Sequence, residues 1–509
     1  MGHTTSRESL PEFLPPVQTR DAEELEERFE ARLAKFYLSD AQQEWLCTIF
    51  HIFCTESNGI RFWTVDDLVK FIIGTFIPDL EPWVAEAAPI LHRCLLRLGS
   101  FPYHNDAQTI LSLEVLRTGM IILLRLDSDK LLGRDEGRDV ASLLYPEGLN
   151  AAHRILLFQS MREQPEAASS GHRGNENDFH LQKALDLITY GNFQRDSQFP
   201  TAVTRGPEYP PANHFPSSSS NSTSGVIPVD EFRPLLRLML ITQLYVAGIE
   251  PYQFVTCSSQ VETATDCLLA ALISTMDAEP SIPCSTFDKC LEQSMQNLFL
   301  GLPRVLGPLH SVKPFPSDTL PVSVPEVQKT LRELFKPSIY TQPPSEGLIL
   351  NLPLLSQLSI ALPPDFPIEK PRALYSSNQI DVGKVKTSLE TDNLARILLV
   401  KGKAGEESLA FGVYLPKHPA PDSLPTSCVM VQLSPLHRAF HDAAEDTKVQ
   451  FQDSLQIQIS LAHAYLSLDG SSSTGKFAVK GTDIQLMFQI DALEVLGFEG
   501  DFVRVDTFE

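Results

Sequence analysis

Cysteine pairs at metal-ligand or redox spacing are missing from this chain of 509 residues. Its 8 cysteines, at positions 47, 54, 94, 257, 267, 284, 290 and 428, form no C-x-x-C pair, and no histidines stand at finger-like spacing from them. That excludes a zinc-finger framework and reads as reduced thiols buried as small hydrophobes. Long apolar runs are missing too. The amino terminus has no apolar signal-peptide core, and the longest uncharged apolar stretch, Leu238–Ile249, falls well short of the roughly 20 residues that cross a bilayer. Basic charge is scarce: 41 Lys and Arg face 64 Asp and Glu, for a net charge of −23. Such a field repels phosphate backbones and disfavours nucleic acid as a partner. Catalytic signatures are absent as well, since no GxSxG elbow, HExxH or Cys/His nucleophile pattern occurs.

A hydrophobic share of 43% and a charged share of 21% describe a globular protein, and the length suits two or three domains of about 100–200 residues each. Residues 1–20 are a polar, mobile tail. Helical periodicity fills 21–161, with Ser39 and Thr64 as helix N-caps and further helices over Trp83–Leu98, Ser112–Leu126 and Ala151–Met161. Residues 162–228, with the run "RGPEYPPANHFPSSSSNSTSG", lack the apolar surface that offsets ordering entropy and are expected to be largely disordered. A second helical segment spans 229–309, a Pro-rich connector 310–344, and a strand-rich block 345–509. In that block "ARILLVKG", "LAFGVYLP" and "CVMVQLSP" are short apolar runs closed by Gly or Pro, the pattern of strands buried in a sandwich. The fold class is therefore α+β, an all-helical amino-terminal domain followed by a β-sandwich with flanking helices.

Three stretches imitate functional motifs. Leu126–Gly137, "LDSDKLLGRDEG", puts Leu131, Leu132 and Arg138 where a calcium loop needs an oxygen ligand, a glycine and a glutamate, so it reads as a solvated loop. "GSSSTGK", Gly470–Lys476, meets the phosphate-loop spacing. However, Phe477 replaces the magnesium-binding hydroxyl and a strand follows, so a hairpin turn is expected. His437 and His441, four apart beside Asp442, suggest a metal pair on a helix, but no third ligand is identifiable. They read as part of a surface helix whose loss of imidazoles leaves stability unchanged. No catalytic, cofactor-binding or metal-binding residue is assigned.

The chain opens Met1-Gly2-His3-Thr4-Thr5-Ser6, which satisfies the M-G-x-x-x-[ST] pattern. Gly2 is therefore the candidate lipidation site, for an N-myristoyl chain giving reversible membrane association.

The order of the segments "ALYSSNQ" (Ala373–Gln379), the three apolar runs and "MFQIDALEVLGF" (Met487–Phe498) resembles the TLDc domain family. "LLSQLSIALP", Leu354–Pro363, is similar to that domain's opening helix, and Glu494-Val495-Leu496-Gly497-Phe498 to its terminal Glu-Val-Trp-Gly-Phe. The resemblance covers roughly Ile282–Phe498. "LQIQISLAHAYLSLDGS", Leu455–Ser471, replaces the family's glycine-rich segment. With Met-Gly at the start and the helical first half, the chain resembles the fungal restriction of telomere capping branch. The resemblance implies a non-enzymatic adaptor linked to oxidative-stress resistance, with vacuolar proton pump subunits as partners and a cytoplasmic position peripheral to the vacuolar membrane. The competing readings are a hydrolase or other enzyme with an unrecognised site, and a nuclear telomere-related factor.

Overall fold

The structure, a computed structural model, describes residues 30, 33–34, 38–76, 78–101, 110–124, 151–163, 225–273, 280–310, 323–335, 347–363, 366, 371–390, 394–416, 427–444, 446–452 and 455–498. Gly2, the loop Leu126–Gly137 and nearly all of the Ser/Pro insert lie outside the described residues.

Helix α1, Asp40–Phe53, starts at a capping box: Ser39 Oγ accepts the Gln42 N–H at 3.3 Å, and Gln42 Oε1 accepts the Ser39 N–H at 2.9 Å. Strands β1, Thr55–Ser57, and β2, Ile60–Phe62, form a hairpin whose turn places Asn58 and Gly59 at φ of 53° and 76°. Asn-Gly is the pair that tolerates two positive φ angles in succession. Helix α2, Val65–Thr75, opens on a second capping box from Thr64 and Asp67. Helices α3, Glu81–Gly99, and α4, Leu113–Leu123, make a second helix–loop–helix unit. The two loops are tied together where the Trp63 N–H donates to the Leu111 carbonyl at 3.0 Å. Trp63 is buried, stacked on Phe50 at 6.0 Å and tilted against Phe71 at 5.4 Å.

Helix α5, Ala151–Met161, is followed by β3, Val226–Pro228, α6, Val229–Thr242, α7, Ser258–Leu272, β4, Ser281–Pro283, α8, Cys284–Gln293, and the short α9, Leu302–Leu306. Residues 226–228, read above as the end of the insert, form β3 and pair antiparallel with β4. Helix α6 lies against α3, and Phe287 of α8 meets Phe158 of α5 at 5.8 Å and Phe232 of α6 at 6.1 Å. Helices on both sides of the insert thus share one apolar core. The stretch read as a connector, 310–344, contains helix α10, Val324–Leu334. Its own proline, Pro325, sits in the first turn, where a missing N–H breaks no helical bond.

Helix α11, Leu352–Ser359, and strand β5, Pro371–Ser377, lead into α12, Val382–Glu390, and then strands β6, Ala395–Ala404, β7, Glu407–Leu415, β8, Ser427–Ser434, β9, Arg438–Ala443, β10, Lys448–Gln452, β11, Gln456–Ser460, β12, Ala464–Asp469, β13, Thr474–Val479, and β14, Gln485–Phe498. All pairings are antiparallel, in the order β10-β11-β12-β13-β14-β6-β7-β8-β9, with β5 also on β14. This one sheet folds across itself at β14. The strand pairs with β13 through Gln485–Gln489, shifts register between Ile490 and Ala492, and then lies between β5 and β6.

The two wings meet face to face, with Phe411 of β7 at 4.9 Å from Phe477 of β13 and 5.1 Å from Phe488 of β14. On the inner wing, Ile397, Leu399, Val429 and Val431 join the helical core, while their neighbours Leu398, Val400 and Met430 join the core between the wings. The molecule is α+β, with helices, inner half-sheet and outer half-sheet packed as three layers. The Gly470–Lys476 stretch is the β12–β13 turn, with Asp469 opposite Thr474 and the Asp469 carboxylate accepting the Ser471 N–H at 2.8 Å.

Candidate functional site

The segment Arg438–Ala443 is a strand, with His437 just before it, and not a surface helix, which corrects the reading of the histidine pair. After the β8–β9 turn the chain runs back antiparallel along β8, placing His441 opposite Val429 and Phe440 opposite Met430. The open edge of β8 takes the backbone hydrogen bonds that a helix would have satisfied internally. His437 is fully buried, where the sheet meets the helices.

The backbone N–H and both ring nitrogens of His437 are hydrogen-bonded. Its backbone N–H donates to the Cys267 carbonyl of α7 at 3.0 Å. Its Nε2 lies 3.0 Å from the Ser294 carbonyl, which only accepts, so Nε2 carries the hydrogen. Nδ1 is then the acceptor for the Gln357 amide of α11, at 3.3 Å. Gln357 also donates to the Leu433 carbonyl at 2.8 Å, and Ser294 Oγ accepts the Ala439 N–H at 3.2 Å. Asn297 extends the seam, receiving Gln243 Nε2 on its carbonyl at 3.0 Å and donating its backbone N–H to Ile360 at 3.1 Å.

Burial pushes the His437 imidazole down to about 4, with the Ser294 carbonyl opposing and His441 adding to the shift. His441 is also pushed down to about 4 by burial, against the pull of the Gln293 backbone. Two neutral rings therefore sit in the seam at neutral pH. No group of three or more potential ligands that could hold a metal ion occurs among the described residues.

Three other buried ionisable groups, Glu494 and the Arg304–Glu250 pair, hold elements together. Glu494 on β14 is 1% exposed, and its carboxylate accepts the Leu350 N–H at 2.8 Å, the Ser376 hydroxyl at 3.0 Å and the Leu348 N–H. A Cβ at Gly347 would come within 2.3 Å of Glu494 Oε1, so this loop can close on the carboxylate only as glycine. Arg304 of α9 pairs with Glu250 at 3.2 Å, donates to the Thr75 carbonyl at 2.7 Å and lies 4.4 Å above the Phe76 ring. Burial raises the Glu250 carboxyl although Arg304 draws it down.

One cleft of about 330 Å³ opens at an end of the sandwich, lined by Glu390, Arg396, Cys428, Thr447 and Phe451 among others. Burial pushes the Cys428 thiol up to about 11, which keeps it protonated and a poor nucleophile; Cys94 and Cys290 are pushed up to about 11 by the same cause. None of the eight cysteines forms a disulfide.

Sequence reasoning found His437 and His441 but missed Gln357 and Ser294, which come from 80 and 143 positions away from His437. Only their polarity inside apolar segments gave any signal. Gly2 lies outside the described residues. Among those residues no helix is long and apolar enough to cross a membrane.

No family model matches the chain. It is 22% identical to the restriction of telomere capping protein 5 of Colletotrichum graminicola, over 94% of this chain and 89% of that protein. The protein of the same name from Fusarium vanettenii is 23% identical, over 95% of this chain and 90% of its own length. That of Leptosphaeria maculans is 26% identical over 75% of this chain. Such coverage takes in the helical layers as well as the sheet, so it is to fungal proteins named restriction of telomere capping protein 5 that this chain is similar over most of its length.

Proposed function

We propose that the chain is a non-enzymatic adaptor whose carboxy-terminal half is a TLDc module, acting through protein contacts at the cytosolic face of the vacuolar membrane and held there reversibly by a myristoyl chain on Gly2. The observation that carries the reading is the use to which its buried ionisable groups are put. Glu494, His437 and the Arg304–Glu250 pair each bind backbone or a charged partner from another element and so hold layers together. The strand order of the carboxy-terminal block supports the TLDc assignment. The TLDc resemblance supports the vacuolar proton pump as partner, and the names of the relatives support a genetic link to telomere capping.

Affinity purification of the full chain from native membranes, with pump subunits scored, tests the partner. Enrichment of those subunits over a mock purification is the expected result, and their absence rejects the pump. Fractionation of a Gly2→Ala variant tests the anchor. The variant leaves the membrane pool with its melting temperature unchanged; a distribution equal to that of the parent chain rejects lipidation.

A further inference from the structure

We propose that β9 is a proton-operated latch: an added proton on the ring of His437 or His441 releases this strand from β8 and from the helical layer while the rest of the sheet stays paired. Strand β9 ends the sheet and pairs only with β8. Its other side meets the chain after α8, where Ser294 Oγ accepts the Ala439 N–H and the Ser294 carbonyl takes His437 Nε2. Only Ala439 of its six residues is fully buried, whereas β8 buries six in a row and also pairs with β7. Losing β9 therefore uncovers little apolar surface and leaves β8 in the sheet.

Neither ring has an acceptor for another proton. Nδ1 of His437 faces the Gln357 amide N–H, and that amide is fixed by its second bond to the Leu433 carbonyl. His441 Nε2 is buried and has no hydrogen-bond partner among the described residues. A proton arriving on either ring meets a donor or nothing, and a buried charge without a partner is costly. Once β9 leaves the seam, both rings reach water and that cost is gone.

No neighbouring carboxylate offsets the charge. On β9 itself the Asp442 carboxylate accepts the Ala443 and Ala462 N–H groups at 3.0 and 2.7 Å. Asp266 of α7 is paired with Arg233, and Asp288 and Glu292 of α8 with Arg154. Cys267 of α7, Cys290 of α8 and Cys428 of β8 are thiols that burial keeps protonated. Lys289 and Arg438, beside Cys290, carry the same sign as the added proton, and α11 has no ionisable side chain. With both rings held down to about 4 in the closed strand and near 6.5 in water, acid below about pH 6.5 favours the open form and higher pH the closed one. Opening bares the edge of β8, whose freed N–H and C=O groups are a template for another strand.

Native-state hydrogen exchange of the full chain at pH 7.5 and 5.5 tests the latch. The β9 amides should be less protected than those of β7 at both values, and their protection should fall about 100-fold from the higher pH to the lower. Protection equal to that of β7 would mean that β9 leaves only when the whole sheet unfolds, and protection that ignores pH would remove the imidazoles from the mechanism; either result overturns the proposal. His441→Gln removes one titrating ring, and Gln357→Glu gives Nδ1 of His437 a carboxylate in place of the amide N–H. In each variant the fall should shrink to about ten-fold. A fall of about 100-fold retained in His441→Gln, or in a Gln357→Glu chain with the parent's circular dichroism, overturns it as well.

Discussion

The two wings of the sheet have the same antiparallel pairing and opposite sequence patterns. Strands β6, β7 and β8 each carry a run of six consecutive buried residues, whereas β11 and β12 alternate buried with partly exposed positions. The inner wing has helices on one face and the outer wing on the other, so both sets of side chains are covered; the outer wing has one face in solvent. Strand β14 contains both patterns in one chain segment. It alternates while it pairs with β13 and becomes continuously buried after the shift between Ile490 and Ala492, where it enters the inner wing. A strand's period thus reports how many of its faces are covered, and a change of period within a strand marks where it passes between layers.

The largest effect should come from the inner end of β14. Phe498 is 1% exposed and meets Phe366 edge-on at 4.6 Å. Truncating a buried Phe to Ala costs about 3–5 kcal/mol, a large share of the roughly 5–15 kcal/mol that keeps a domain folded. Phe498→Ala should unfold or aggregate the carboxy-terminal half. Val449→Ala on the half-covered edge strand β10 should cost under about 1 kcal/mol. Equal shifts of the urea midpoint for the two variants would break the comparison.

Acid should act next, on the seam between helices and inner wing. His437 and His441 are neutral in the fold, with imidazoles held down to about 4, and they titrate near 6.5 once unfolded. Below about pH 6.5 the unfolded chain binds more protons than the folded one, so stability is full above that value and falls as the pH drops toward 4. Each ring's loss approaches a limiting slope of about 1.4 kcal/mol per pH unit, so the pair loses about 2 kcal/mol between pH 6.5 and 5.5. The slope of unfolding free energy against pH should flatten in the double variant His437→Gln, His441→Gln. An unchanged slope would show that the rings are not the groups that titrate. This reverses the expectation from sequence that removing these imidazoles is neutral.

Much of the fold was legible in local terms. The capping residues Ser39 and Thr64 and the apolar runs of β6 to β8 declared themselves through short-range pattern, because caps and strand burial are set within a few residues. Helix α10 was hidden because proline density was read as a break, although Pro325 lies in a first turn that tolerates it. The histidine pair was misplaced for a related reason. Spacing of four suits a helix face, yet "RAFHDA" had an unpaired strand beside it, and that edge decided the conformation. The layers that bury His437, and the Gln357 and Ser294 groups that bond its ring, reach it only through tertiary packing, and no local signal carries that information.

The smallest effect sharpens the comparison within β14 itself. Met487 is 56% exposed at the outer end of the strand and stands directly opposite Lys476 of β13. A carboxylate there would face an ammonium group across the strands, an arrangement that contributes roughly 0.2–1 kcal/mol. Met487→Glu should therefore leave the melting temperature unchanged or raise it slightly. The same change at Leu496, which is 3% exposed on the inner stretch, would bury an unpaired charge and prevent folding of the half. If Met487→Glu destabilised the protein by more than about 1 kcal/mol, the outer end of β14 would have to be covered, and the change of period along the strand would need another cause.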